Sequence, residues 1–254
     1  MSDPVIELAA VSKRYGALAA LDGVSLRVAA GEFVALVGGS GSGKTTLLKT
    51  INRLIVPDQG VVRLAGEDVA GVEPHALRRR IGYVFQDVGL FPHLTVAENI
   101  AITPKLLGWP VPRRAQRVAE LLTLVALPAD IGARAPAALS GGQRQRVGVA
   151  RALAAQPQVM LMDEPFGALD PVTREALGGD YRGLHERLGL TTVMVTHDMA
   201  EAVLLADRIV VLAAGRILAD GLPAQLLASS RDPTVRALLE APRSEEHTSE
   251  LQSR

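Results

Sequence analysis

The apolar pattern of this chain predicts an α/β fold: a mostly parallel sheet with covering helices, an antiparallel β region before it, and a helical subdomain inserted within it. Three observations carry the expectation. Short extended apolar segments recur along the chain; strand, glycine loop and helix follow in that order near residue 40; and prolines punctuate helical stretches from about 88 to 140. With 254 residues and 48% hydrophobic content there is enough apolar matter for one large buried core. The expected division is one domain over 1–228, the helical insert over about 88–150, a short C-terminal helix or fray over 229–242, and a tail over 243–254.

In chain order, Ile6 to Val11, Val24 to Val28 and Phe33 to Val37 read as strands broken by Gly16, Asp22, Gly23 and Gly31. After Val37 a glycine loop leads into TTLLKTINRLI, where Leu47, Leu48, Ile51 and Leu54 recur at helical spacing. Pro92, Pro104, Pro110, Pro112, Pro128 and Pro136 then mark the insert, whose clearest helix runs from Arg114 to Leu124. Strands return at Val159 to Met162, Thr192 to Val195 and Ile209 to Leu212, separated by helical pattern as a parallel sheet requires. No internal repeat is visible.

Composition excludes several classes of chemistry. Lys plus Arg equals Asp plus Glu at 27 each, so no basic excess argues for nucleic acid and none is expected as a partner. The absence of cysteine removes disulfides, thiolate metal sites and cysteine nucleophiles. No signal peptide is recognisable in MSDPVIELAA, and the longest apolar runs fall far short of the roughly 20 residues that span a bilayer. A cytosolic chain that meets a membrane through another protein is therefore expected.

Gly38-Gly39-Ser40-Gly41-Ser42-Gly43-Lys44-Thr45 matches GxxxxGK[ST] between a strand and a helix, the context that a phosphate-binding P-loop needs. Glycines let the backbone curl so that N–H groups converge on phosphate oxygens, with the helix N-terminus behind them. Lys44 is placed to reach β- and γ-phosphates, Thr45 to offer a hard oxygen to Mg²⁺, and Thr46 opens the helix beside them. This motif alone leaves kinases, GTPases and helicases open. A second phosphate-type helix start lies at Ser140-Gly141-Gly142-Gln143, where Ser140 is a good N-cap and the glycines bare the backbone.

Together with Leu139 and the following RQRVGVARAL, that second motif resembles the signature of ABC ATPases, and the rest of the chain agrees with the family in motif order over nearly all of residues 5–228. VMLMDE over Val159–Glu164 resembles the Walker B strand. The resemblance implies that Asp163 holds Mg²⁺ and that Glu164 is the general base for the attacking water. It further implies that Gln86 in IGYVFQ is the Q-loop glutamine, touching Mg²⁺ and water, and that His197 in VTHD is the switch histidine at the γ-phosphate. Asp170 in GALDP resembles the D-loop aspartate, and Tyr15 in SKRYG the aromatic that stacks on adenine. The implied assembly is a head-to-tail homodimer with two sandwiched ATP molecules, docked on a separate integral membrane permease at the cytoplasmic face of the inner membrane.

Finer wording points to import. EPFGALDP is similar to bacterial importers, and LLKTINRLIVPDQG, IGYVFQDVGLFPHLTVAENI and PKLLGW are together similar to ATPases of osmoprotectant systems that take up glycine betaine, choline, carnitine or proline, fed by a solute-binding protein. Val56 and Asp58-Gln59 depart from that group's usual IEPTSG wording. Alternatives within the resemblance are another importer, as for amino acids, an efflux ATPase, or a non-transport cassette. Finally, Arg243 to Arg254 can be back-translated in frame as a common short-read sequencing adapter, so this tail is expected to be non-native.

Overall fold

The computed structural model describes residues 4–229. They form two compact units, one from the chain up to Ala70 and from Val193 onward, the other from Gly71–Thr192. The first unit begins with β1 (Ile6–Tyr15) and β2 (Leu18–Val28), an antiparallel hairpin closed at Tyr15 and Leu18. Alternation sets its buried face: Ile6, Leu8 and Val11 of β1 lie against Val24, Leu26 and Val28 of β2. Each such side chain contributes about 1.5–3 kcal/mol by leaving water. The pairing slips after Leu8, where Ala10 is left-handed (φ 49) and donates its N–H to Ser25 Oγ.

Next comes β3 (Phe33–Val37), buried at every position, then α1 (Lys44–Ile51), β4 (Gln59–Leu64) and β5 (Glu67–Asp68). β4 pairs antiparallel with β1, completing a sheet in the order β2-β1-β4-β5, and α1 packs on β2 and β4. The helix is shorter than the apolar spacing suggested. It ends at Ile51; Leu54 lies beyond it, exposed, with its N–H on the Lys49 carbonyl.

The second unit contains α2 (Pro74–Arg79), β6 (Ile81–Val84), α3 (Val96–Leu106), α4 (Val111–Leu124), two short 3-10 turns, α5 (Gly141–Leu153), β7 (Val159–Asp163), α6 (Pro171–Leu188) and the start of β8 (Thr191–Val195). The expected helix over Arg114 to Leu124 begins earlier, because Pro110 and Pro112 suit a first turn that needs no N–H. Pro104 lies inside α3 rather than ending it, within its last turn. That helix starts with a capping box in which Thr95 and Glu98 exchange side-chain and backbone bonds. β6 and β7 pair in parallel from Ile81 with Val159 to Val84 with Met162, and α5, whose Val147, Ala150 and Leu153 are buried, packs on β6.

The chain then returns to the first unit through the rest of β8, α7 (Met199–Leu205), β9 (Arg208–Ala213), β10 (Arg216–Gly221) and α8 (Pro223–Ser229). There β3 pairs in parallel with β9, which pairs antiparallel with β10. Just past β8, Thr196 N–H reaches the Leu36 carbonyl of β3. Among the described residues no helix is long and apolar enough to cross a membrane. Beyond Ser229, the expected fray and the tail over 243–254 lie outside the described residues.

Candidate functional site

In the first unit the P-loop joins β3 to α1, and backbone contacts dictate its shape. A Cβ at Gly38 (φ 150) would collide with the Leu212 carbonyl oxygen, and one at Gly43 (φ 105) with the Ala20 carbonyl oxygen, so neither position accepts a side chain. Gly39, Ser40 and Gly41 form the exposed crown; Ser42 is buried, and its carbonyl accepts the Gly215 N–H. Lys44 is 7% exposed, and its ammonium donates to the carbonyls of Gly38 at 2.7 Å and Gly39 at 2.9 Å, with Ser42 Oγ 3.5 Å away. A positive charge is thus buried within the loop and held by oxygens that an anion's oxygens could replace. Thr45 and Thr46 follow on the first turn of α1.

The same unit presents His197, exposed, directly after the Thr196 link to β3 that sets its strand beside the one feeding the loop. Asp198 fixes the turn beyond it: its N–H donates to Thr196 Oγ1 and its carboxylate caps α7 through Glu201 N–H. Tyr15, at the end of β1, is half exposed, with the Lys13 ammonium 5.7 Å from its ring centroid. An exposed aromatic face there is open to stacking.

The second unit assembles the carboxylates. Parallel register between β6 and β7 puts Val84 level with Met162, so Gln86 and Glu164 leave their strands at equal distance beyond that pair. They meet: Gln86 Nε2 donates to Glu164 Oε2 at 3.3 Å. Asp163 is the buried last residue of β7, and Tyr83 O–H donates to its Oδ2 at 3.3 Å. Burial and the Asp163 charge push the Tyr83 hydroxyl well above its usual pKa, so it stays protonated as a donor. Glu164 has φ 46, a left-handed backbone that costs a non-glycine residue about 1–3 kcal/mol. Strain at this residue aims its side chain off the strand end, and Gly167 N–H closes the turn on its carbonyl.

Ser140, Gly141, Gly142 and Gln143 open α5 with a capping box: Ser140 Oγ accepts the Gln143 N–H, and Gln143 Oε1 accepts the Ser140 N–H. Asp170 caps α6 by accepting the Thr173 N–H at 3.0 Å, and hydrogen bonding from Thr173 holds its carboxyl below the usual carboxylate range. The residues named from sequence therefore fall into two groups. The loop, Lys44, Thr45, Tyr15 and His197 are in one unit; Gln86, Asp163, Glu164, the Ser140 helix start and Asp170 are in the other.

Sequence reasoning passed over two residues of the second group. Tyr83 stands inside IGYVFQ, but nothing in a strand tyrosine announces that its hydroxyl reaches an aspartate on the neighbouring strand. Arg151 stands inside RQRVGVARAL, where its only signal was a basic residue at an otherwise apolar helix position.

A family model described as ABC transporter matches residues 21–167. The choline transport ATP-binding protein OpuBA of Bacillus subtilis (strain 168) is 50% identical over 236 residues, 92% of this chain but 62% of that protein. The glycine betaine uptake system ATP-binding protein YehX of Escherichia coli (strain K12) is 49% identical over 232 residues, 91% of this chain and 75% of its own length. The chain thus spans less than two thirds of OpuBA. Among solved structures, the dimeric post-hydrolysis state of the ATP-binding cassette MJ0796 bound to ADP and Pi superimposes with a TM-score of 0.77 at 35% identity, covering 86% of this chain and 98% of that one. With the family model over more than half of its length and YehX at 49% identity, the chain belongs to the ABC transporter family.

Proposed function

We propose that the chain is the ATP-binding and ATP-hydrolysing subunit of an ABC importer for a quaternary-amine osmoprotectant, acting as a homodimer at the cytoplasmic face of the membrane beneath a separate permease that a solute-binding protein supplies. The observation that carries the hydrolytic part is the meeting of Gln86 with Glu164 at the ends of paired strands. The import part rests on likeness to OpuBA and YehX, whose names state choline transport and glycine betaine uptake.

In this reading Lys44 exchanges its two carbonyl partners for β- and γ-phosphate oxygens, while the loop's N–H groups and the start of α1 take up the remaining charge. The Thr45 hydroxyl and the Asp163 carboxylate are hard oxygen donors of the kind Mg²⁺ accepts beside phosphate and water. Held there, Mg²⁺ would supply charge neutralisation to the phosphates. Glu164 accepts the proton of a water that attacks the γ-phosphorus as the bond to the ADP oxygen breaks, leaving ADP and phosphate. Gln86 orients that water and His197 contacts the γ-phosphate. Ser140 to Gln143, with Asp170 beside the interface, serve the nucleotide of the second copy.

Two experiments test this. Mixing Ser140→Arg chains with Lys44→Ala chains should restore one composite site and measurable ATP turnover; a mixture as inactive as either variant alone would defeat the shared-site homodimer. Deleting the gene should abolish growth rescue by glycine betaine or choline at high osmolarity. Unchanged rescue, with loss of uptake of another solute such as an amino acid, would reassign the transporter while leaving the ATPase intact.

A further inference from the structure

Arg151 is 8% exposed on α5, near the opposite end of the helix from Ser140. Its guanidinium donates from Nη2 to the Val88 carbonyl and from Nη1, at 2.6 Å, to the Gly89 carbonyl. Both acceptors belong to the turn that follows Gln86, and burial pulls the guanidinium below its ordinary pKa. That turn is unusual backbone. Val88 has φ 53 and Gly89 φ 58, and a β-branched residue in the left-handed region persists only where its surroundings hold it. The same helix does so a second time: a Cβ at Gly148 would stand 2.6 Å from Val88 Cγ1, so the glycine makes room for the valine. Val88 N–H in turn bonds the Phe85 carbonyl at 3.1 Å, closing the segment around Gln86.

We infer that Arg151 is a positioning residue that ties the turn after Gln86 to the signature helix, so that the aim of Gln86 at Glu164 follows any displacement of the Ser140 helix. A helix moves as a rigid rod, and a fork of two short bonds to backbone carbonyls passes that movement on without depending on side-chain rotamers. The Gln86 bond to Glu164, at 3.3 Å, is the weaker link and yields first. This inference rests on the ATPase reading for its consequence, but its geometry is independent of it.

Full-length Arg151→Lys, which keeps the charge and loses the fork, is compared with the unsubstituted chain under Mg-ATP. Amide exchange of the segment from Phe85 to Gly89 should accelerate about tenfold or more while α5 keeps its protection. ATP affinity should stay within about twofold, and turnover should fall about tenfold. Combined with Gln86→Ala, the substitution should cost no further turnover, since one acts through the other. If Arg151→Lys unfolds, Gly148→Ala serves instead, because alanine favours the helix yet drives a methyl into Val88, and Val88→Ala should reverse its effect. Exchange within twofold of the unsubstituted chain in every folded variant, or full additivity with Gln86→Ala, would overturn the tether. If the unsubstituted chain hydrolysed no ATP, the functional reading would fall and the exchange measurement would still decide the tether.

Discussion

The Lys44 ammonium donates to the backbone carbonyls of Gly38 and Gly39, and Gly38 and Gly43 approach other backbone so closely that a methyl group would collide. At Glu164 a side-chain amide reaches the carboxylate at 3.3 Å, and the backbone itself sits in a disfavoured region. One region is built from main chain and has no slack; the other is built from side chains, is strained, and can be re-aimed. Under the proposed function, the first would hold phosphate in a cradle that does not change and the second would time hydrolysis with groups that move. The two should therefore fail separately when substituted.

The largest effect should come from Glu164→Gln. Turnover is expected to fall about 10²- to 10⁴-fold with ATP affinity within about twofold, measured by steady-state hydrolysis and equilibrium nucleotide binding. Turnover within twofold of the original would erase the distinction between the regions. Next, Lys44→Ala should weaken ATP binding itself by about tenfold to a hundredfold, because it removes the buried charge nearest the phosphates. Unchanged affinity would mean that the main-chain cradle suffices without it.

A sharper probe is Glu164→Gly. Glycine adopts positive φ freely, so the variant should gain about 1 kcal/mol in unfolding free energy while losing turnover. A loss of stability would show that the carboxylate's contacts outweigh the backbone strain. Smallest is Thr95→Ala at the start of α3, distant in role from either region, expected to cost about 1 kcal/mol by denaturant titration. Its capping partner Glu98 has a carboxyl held below the ordinary value by hydrogen bonds from Thr95. That contribution is complete above the usual glutamate range and disappears as pH falls through the depressed value, so the cap should fray only in acid.

Much of the site was legible because its chemistry is written in contiguous motifs. The glycines from Gly38 to Gly43, the Ser140 helix start and the Asp163-Glu164 pair are local: each needs only neighbours in sequence to make its turn, cap or strand end, and each lies at the start of α1 or α5 or at the end of β7. Gln86 gained a partner only through strand register, which no single segment states, and the partner proved to be Glu164. Leu54 had the right spacing for α1 yet fell outside it, because the chain after Ile51 turns away and leaves the side chain in solvent.

By itself, then, the sequence determined the α/β order, the glycine loop between strand and helix, the second helix start and the acidic pair at a strand end, since periodicity and turn chemistry act over a few residues. Tertiary structure alone decided that Tyr83 reaches Asp163, that Gly148 makes room for Val88 and that Arg151 grips the carbonyls of Val88 and Gly89. Those contacts join residues as much as 80 positions apart, and a bond between distant segments depends on how a whole sheet and its helices pack rather than on any local preference.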